Sequence, residues 1–269
     1  MSLKLGKKSV RRPLVKKPYL KGNALSMLAA RRGLRILAYL VLSAVLYFFL
    51  GQLLVIDIAW LRTIINLAVV IAFAALLYAN GAQEGEGDVA FAEIALLRKQ
   101  DGKTISKQEL DRCFHPLKGF VTVFFGALPF VLVCLVYALM AVRDTYTLGS
   151  LPSWLAAYET RADIGPALSY YHEQSVFGVA DILRMVVRLI IFPFINIAGS
   201  RNPDGILLVE RLSPLLVLAA PVFYGIGYAR GEFYRAQVHS GIAANERKAA
   251  RKRGRKQAQP KRQEPRQLV

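Results

Sequence analysis

Residues 36–56 read ILAYLVLSAVLYFFLGQLLVI, 21 positions without one charged side chain. A helix rises about 1.5 Å per residue, so roughly 20 such residues cross the ~30 Å hydrocarbon core of a bilayer. Working outward from this stretch, the same character recurs at 63–83 (21 residues), 119–142 (24 residues) and 212–229 (18 residues). These windows predict an all-α, polytopic integral membrane helical bundle with four transmembrane helices. The whole-chain figures agree: 54% hydrophobic residues, a mean hydropathy of +0.34 and a net charge of +18 over 269 residues exclude one soluble domain.

The charges divide the chain further. Residues 1–35 hold 11 Lys and Arg with no acid, and residues 230–269 hold 12 against 3 acids. Basic flanks stay cytoplasmic, so both termini are expected on one side and the number of crossings is expected to be even. The resulting division is a basic arm at 1–35, a transmembrane hairpin at 36–79, a cytoplasmic helical hairpin at 80–118, and a span at 119–142. An extracytoplasmic region at 143–211, a last span at 212–229 and a basic cytoplasmic tail at 230–269 complete it. The location this implies is a bacterial plasma membrane. Trp60 in the tight first turn and Trp154 in the long loop then sit at the outer interface.

A fifth apolar region, 176–198, competes for a span. Asp181, Arg184 and Arg188 follow the i, i+3, i+7 spacing of one helix face, and Phe192-Pro193 predicts a break. Two central arginines cost about 5–7 kcal/mol to insert, while its Leu, Ile, Val and Phe residues return roughly 4–8 kcal/mol. We read 176–191 as an amphipathic helix, in-plane or lining the bundle; the competing solution inserts 176–198 and makes 212–229 re-entrant around Pro214, Pro221, Gly225 and Gly227. The remaining outer residues, including Tyr158, Tyr170, Tyr171, His172 and Glu173, are read as short helices over the bundle.

In the arm, alternating basic pairs with Pro13 and Pro18 suggest a mobile segment that becomes helical from Ala24 to Arg35. Arg31, Arg32 and Arg35 fall at headgroup depth and are candidate lipid contacts. Small-xxx-small spacings at Ala68/Ala72, Ala75/Ala79 and Gly227/Gly231 favour close helix packing within the chain. Between the second and third spans, the acidic, glycine-rich 83–88 reads as a solvated turn, and Asp88 as the cap of a new helix. Asp101-Gly102 reads as a turn and Ser106 to Glu109 as a capping box before a helix ended by Pro116. The ligand pattern around Gly102 does not fit a calcium loop.

No zinc-hydrolase HExxH, phosphate-binding P-loop, GxSxG elbow or CxxC pair occurs. His115, His172 and His239 are far apart in sequence, and His115 reads as a hydrogen-bonded helix-end residue. The expectation is a chain without catalytic site, metal or cofactor. Two features remain. Asp181, with Arg184 at i+3, leaves Arg188 to meet an anion, either as lipid-phosphate contacts or as a polar groove. The tail cations Arg247, Lys248, Arg251, Lys252, Arg253, Arg255 and Lys256 lack interleaved aromatics, which suits phosphate-rich surfaces without sequence-specific nucleic-acid readout.

In charge and placement alone, this basic C-terminal tail on a small multispan protein resembles that of the YidC-type membrane insertases, and the resemblance implies ribosome contact. The functional expectation is an accessory or scaffold subunit whose basic tails bind anionic membrane lipids, or whose tails or hairpin bind a partner protein. The alternative is a transporter-like or insertase-like protein working through the Asp/Arg groove.

Overall fold

The computed structural model describes residues 14–143, 151–168, 171, 178–199 and 202–258, with the backbone alone for 254–258. Helix α1, Met27–Leu50, starts where the Ser26 hydroxyl accepts the Ala29 N–H at 3.2 Å. Its buried residues Ala29, Gly33, Ile36 and Leu40 form one stripe of the helix. A short turn of 3₁₀ helix at Gly51–Leu54 leads to α2, Ala59–Gln100, of 42 residues. Then come α3 (Lys107–Arg112), α4 (Lys118–Met140), α5 (Gly165–Leu168), α6 (Val179–Ile190) and α7 (Phe192–Ala198). The chain ends in α8 (Pro203–Arg211), α9 (Ser213–Leu216), α10 (Pro221–Ala229) and α11 (Gly231–Ala258). No strand occurs among the described residues.

The chain is an all-α integral membrane bundle. Helices α1, α2 and α4 are long and apolar enough to cross a membrane, and α8 with Ser213–Ala229, bent by 63°, makes a fourth if the bent pair is one span. Pro203, Pro214 and Pro221 each sit within the first two residues of their helices, where a missing N–H does least harm and a fresh helix begins. The competing span at 176–198 is not present as one helix. It is divided at Ile191 into α6 and α7, as Phe192-Pro193 predicts, and the 12 residues of α6 rise only about 18 Å. Helix α6 lines the bundle, burying Val187 and Ile191 with Cys134, Tyr137 and Val217.

The structure corrects the reading of 83–88. No turn interrupts α2, which continues about 25 Å past the apolar window at 63–83, so Asp88 lies inside a helix and caps none. The turn comes later, at Gly102 with φ +78°, followed by the expected Ser106/Glu109 capping box.

The reason lies in α10. Helices α2 and α10 run parallel and nearly touch: a Cβ on Gly81 would strike the Tyr224 carbonyl, one on Gly85 the Tyr228 carbonyl, and one on Gly227 the Tyr78 carbonyl. What reads locally as a flexible glycine-acid run is a surface for backbone-to-backbone packing.

The N-terminal arm is also corrected for residues 14–25. It carries no helix and is pinned: Gly22 N–H donates to Phe114 O at 2.9 Å, Leu20 N–H to Ala92 O at 3.2 Å, and Val15 N–H to the Ser240 hydroxyl at 2.9 Å. Arm and α11 therefore share one end of the bundle. Residues 1–13 of the arm, together with Tyr170, His172 and Glu173, lie outside the described residues.

Three apolar cores stack along the molecule. One surrounds Val89, Ala92, Phe114 and Tyr228 at the end where the termini meet; a central one holds Ile36, Leu77, Ala127 and Tyr224; the far one holds Tyr137, Val187 and Ile191.

Candidate functional site

Between the terminal and central cores, four helices deliver charge to one buried place. Helix α1 supplies Arg32, α2 supplies Glu84 and Asp88 one turn apart, α4 supplies Lys118 from its first turn, and α10 supplies Tyr224 and Tyr228. The Arg32 guanidinium grips Asp88 with two bonds of 2.7 and 2.8 Å and reaches Glu84 with Nε at 2.8 Å. The Lys118 ammonium donates to Asp88 at 3.1 Å, to Asp111 O at 2.6 Å and to Cys113 O at 3.1 Å, which uses all three of its protons. Tyr228 OH donates to Asp88 at 2.6 Å and Tyr224 OH to Glu84 at 2.8 Å.

Lys118 is 0% exposed and Asp88 3%. Buried ionic groups persist only when charge and hydrogen-bonding capacity are both met, and here they are met by residues from α1, α2, α4 and α10 together. The arrangement fixes the angle and register of four helices. A polar cleft of about 360 Å³ opens beside it, lined by Arg35, Tyr39, Asn80, Gln83, Glu84 and Tyr224.

A second cluster secures α11. Glu93 of α2 accepts from Arg235 Nε and a terminal nitrogen at 3.1 Å each, and its other oxygen lies 2.7 Å from His239 Nε2. Glu232, at the start of α11, takes Lys16 at 3.1 Å and Tyr19 OH at 3.3 Å, so the arm ties down the same helix.

The sequence-derived candidates fare unevenly. Of the three headgroup arginines, Arg31 is exposed and Arg35 is exposed while sharing Glu84 at 3.1 Å. Arg32 faces inward, next to the buried stripe of α1, and is not a lipid anchor. Asp181 accepts the Gly178 N–H at 3.0 Å at the start of α6. Arg184 donates to Tyr137 OH at 2.7 Å, and Arg188 donates to Glu210 at 2.6 Å, where Glu210 is 1% exposed. Arg188 is thus engaged by a carboxylate from α8 and is not left for an outside anion. The three still border one groove of about 450 Å³ with Phe48, Leu189 and Phe192. On α11, Arg247, Lys248, Arg251, Lys252 and Arg253 are exposed, whereas the side chains of Arg255 and Lys256 lie outside the described residues. His115 accepts the Leu117 N–H at 3.3 Å ahead of α4.

Sequence reasoning missed Glu84, Asp88, Lys118, Tyr224, Tyr228 and Glu93. One signal was available: Glu84/Asp88 and Tyr224/Tyr228 share the i, i+4 spacing, and both contacts have the same offset of 140 residues. That offset is the register of two parallel helices.

The two clusters join helices through ion pairs and hydrogen bonds. Among the described residues no group of three or more His, Cys, Asp or Glu side chains converges on a point that could hold a metal. Cys113 is buried, with its thiol 3.3 Å from Glu109 O, and burial pushes its pKa up, away from the reactive thiolate. Comparison with protein families, curated proteins and solved structures finds no match to this chain.

Proposed function

We propose that this chain is a non-enzymatic accessory or scaffold protein of a bacterial plasma membrane, with both termini cytoplasmic, whose distal basic helix docks on anionic lipid. One observation carries the reading: α11 is clamped at its base by Glu93 and the arm, while five cations between residues 247 and 253 are exposed on its distal half. A braced helix bearing unburied charge is suited to holding a second surface at a set distance. At about 1 kcal/mol per cation near an anionic membrane, five supply roughly 5 kcal/mol, weakened by salt.

The test uses the full chain in phosphatidylcholine nanodiscs and free vesicles containing phosphatidylglycerol. Salt-sensitive association that disappears on truncation after Asn245 is the expected result. Equal association with neutral vesicles, or none, overturns the reading. Cosedimentation with ribosomes in preference to vesicles would reassign the tail to ribosomal RNA.

A second reading, a transporter-like or insertase-like protein, draws on the groove that joins Asp181, Arg184 and Arg188 to Phe48 and Phe192. Against it stand the bonds of Arg184 to Tyr137 and of Arg188 to Glu210, which suit a brace of the far core. Substituting Arg188→Leu separates the two, since a working groove requires a loss of cellular function beyond any loss of stability.

A further inference from the structure

We propose that the groove between α2, α7 and α10 is a phospholipid site, with an acyl chain lying in the groove and the phosphate held at Arg230. The groove encloses about 500 Å³, within the range of small-molecule sites, and its walls are Val70, Ala74, Ala75, Phe194, Phe223 and Ile226. Alanines at 74 and 75 give it depth where larger side chains would fill it.

Its length matches one leaflet. From Val70 to Tyr78 the axis of α2 rises about 12 Å, close to half of a ~30 Å hydrocarbon core. Polar groups gather only at the end nearest α11. Arg230 is exposed there, with a terminal nitrogen 3.4 Å from Tyr78 OH, which is 2.9 Å from Tyr234 OH. Among the described residues no carboxylate lies within ion-pair distance of Arg230. A guanidinium beside two hydroxyls is a donor set for phosphate oxygens, placed at the headgroup end of an apolar channel. The lipid belongs to the leaflet on the side of the chain termini. This site lies within the bundle and does not depend on the distal cations of α11.

The experiment is native mass spectrometry of the full chain in mild detergent, titrated with dioleoyl phosphatidylglycerol and, separately, dioleoyl phosphatidylcholine. The wild type is expected to retain one phosphatidylglycerol preferentially. Arg230→Gln should lower that affinity about fivefold, the worth of one interfacial cation, with a smaller fall for phosphatidylcholine, whose choline offsets the phosphate charge, and Arg230→Lys recovering part of it. Ala75→Phe, which fills the groove, should remove the retained lipid of either kind. Truncation after Asn245 should leave all of this intact, so failure of the tail reading and failure of this one are separable. Unchanged preference in Arg230→Gln, or wild-type retention in a folded Ala75→Phe, overturns the proposal; if Ala75→Phe does not fold, Arg230→Gln alone decides, because its side chain is exposed.

Discussion

Two glycines, two residues apart on one helix, should respond in opposite directions to the same substitution. Gly87 faces open space, and a Cβ there would meet nothing within 4 Å. Gly87→Ala should therefore collect the ordinary helix-propensity gain of about 0.5–1 kcal/mol. A Cβ on Gly85 would run into the Tyr228 carbonyl, with the Tyr228 carbonyl carbon at 3.0 Å and its Cα at 3.1 Å. These are backbone atoms of a packed helix and cannot swing aside, so α10 must shift. Overpacking of this kind costs about 1–3 kcal/mol. Any shift also drags Tyr228 OH from its 2.6 Å bond to Asp88. Subtracting the propensity gain, Gly85→Ala should destabilise by up to about 2.5 kcal/mol. The assay is thermal unfolding of the detergent-solubilised full chain, at about 2–4 °C per kcal/mol. Shifts of the same sign and size at both positions would refute the continuous α2 and its contact with α10, because a solvated turn at 83–88 treats the two glycines alike.

Two further outcomes test the charged cluster and the capping box. Asp88→Asn removes the anion on which Arg32 and the fully buried Lys118 converge, and should cost about 3–5 kcal/mol. Adding Lys118→Met should recover part of that loss, with a coupling above ~1 kcal/mol in chemical unfolding; strictly additive losses would show that the two do not interact. The pKa of Glu109 is lowered, first by the Ser106 N–H and hydroxyl that bond its carboxylate and then by Arg98. A lowered folded-state pKa adds stability that is present above the unfolded value, about 4.3, and is lost as pH falls through the lower folded value. The stability gap between wild type and Glu109→Gln should thus be full above about pH 5 and close toward pH 3. A gap that widens with acid would contradict the capping box.

What the sequence revealed, and what it hid, follow from how far apart the interacting residues are. The apolar windows are legible because a bilayer imposes its thickness on every span separately. The Ser106/Glu109 box, the turn at Gly102 and the break before Pro193 are legible because their partners lie within a few residues. Glycine beside acid at 83–88 gives the same local signal whether water or another helix covers it. The partners that decide the matter come from 30 to 140 residues away, as with Arg35, Arg32 and Lys118 on one side and Tyr224 and Tyr228 on the other.

The same holds at the far core. The face shared by Arg184 and Arg188 can be read from spacing, but Glu210 reaches Arg188 only once α8 has folded back. The net charge of +18 consequently mixes two populations that composition cannot separate. Arg32, Lys118, Arg188 and Arg235 are matched by carboxylates and hold helices together. The cations at 247–253 are exposed along α11, beyond the Glu93 clamp. Binding to an outside anionic surface should therefore follow the second population and, apart from Arg235 of the α11 clamp, be indifferent to the first. A stability defect should show the reverse dependence, so the two effects of charge in this chain can be measured apart.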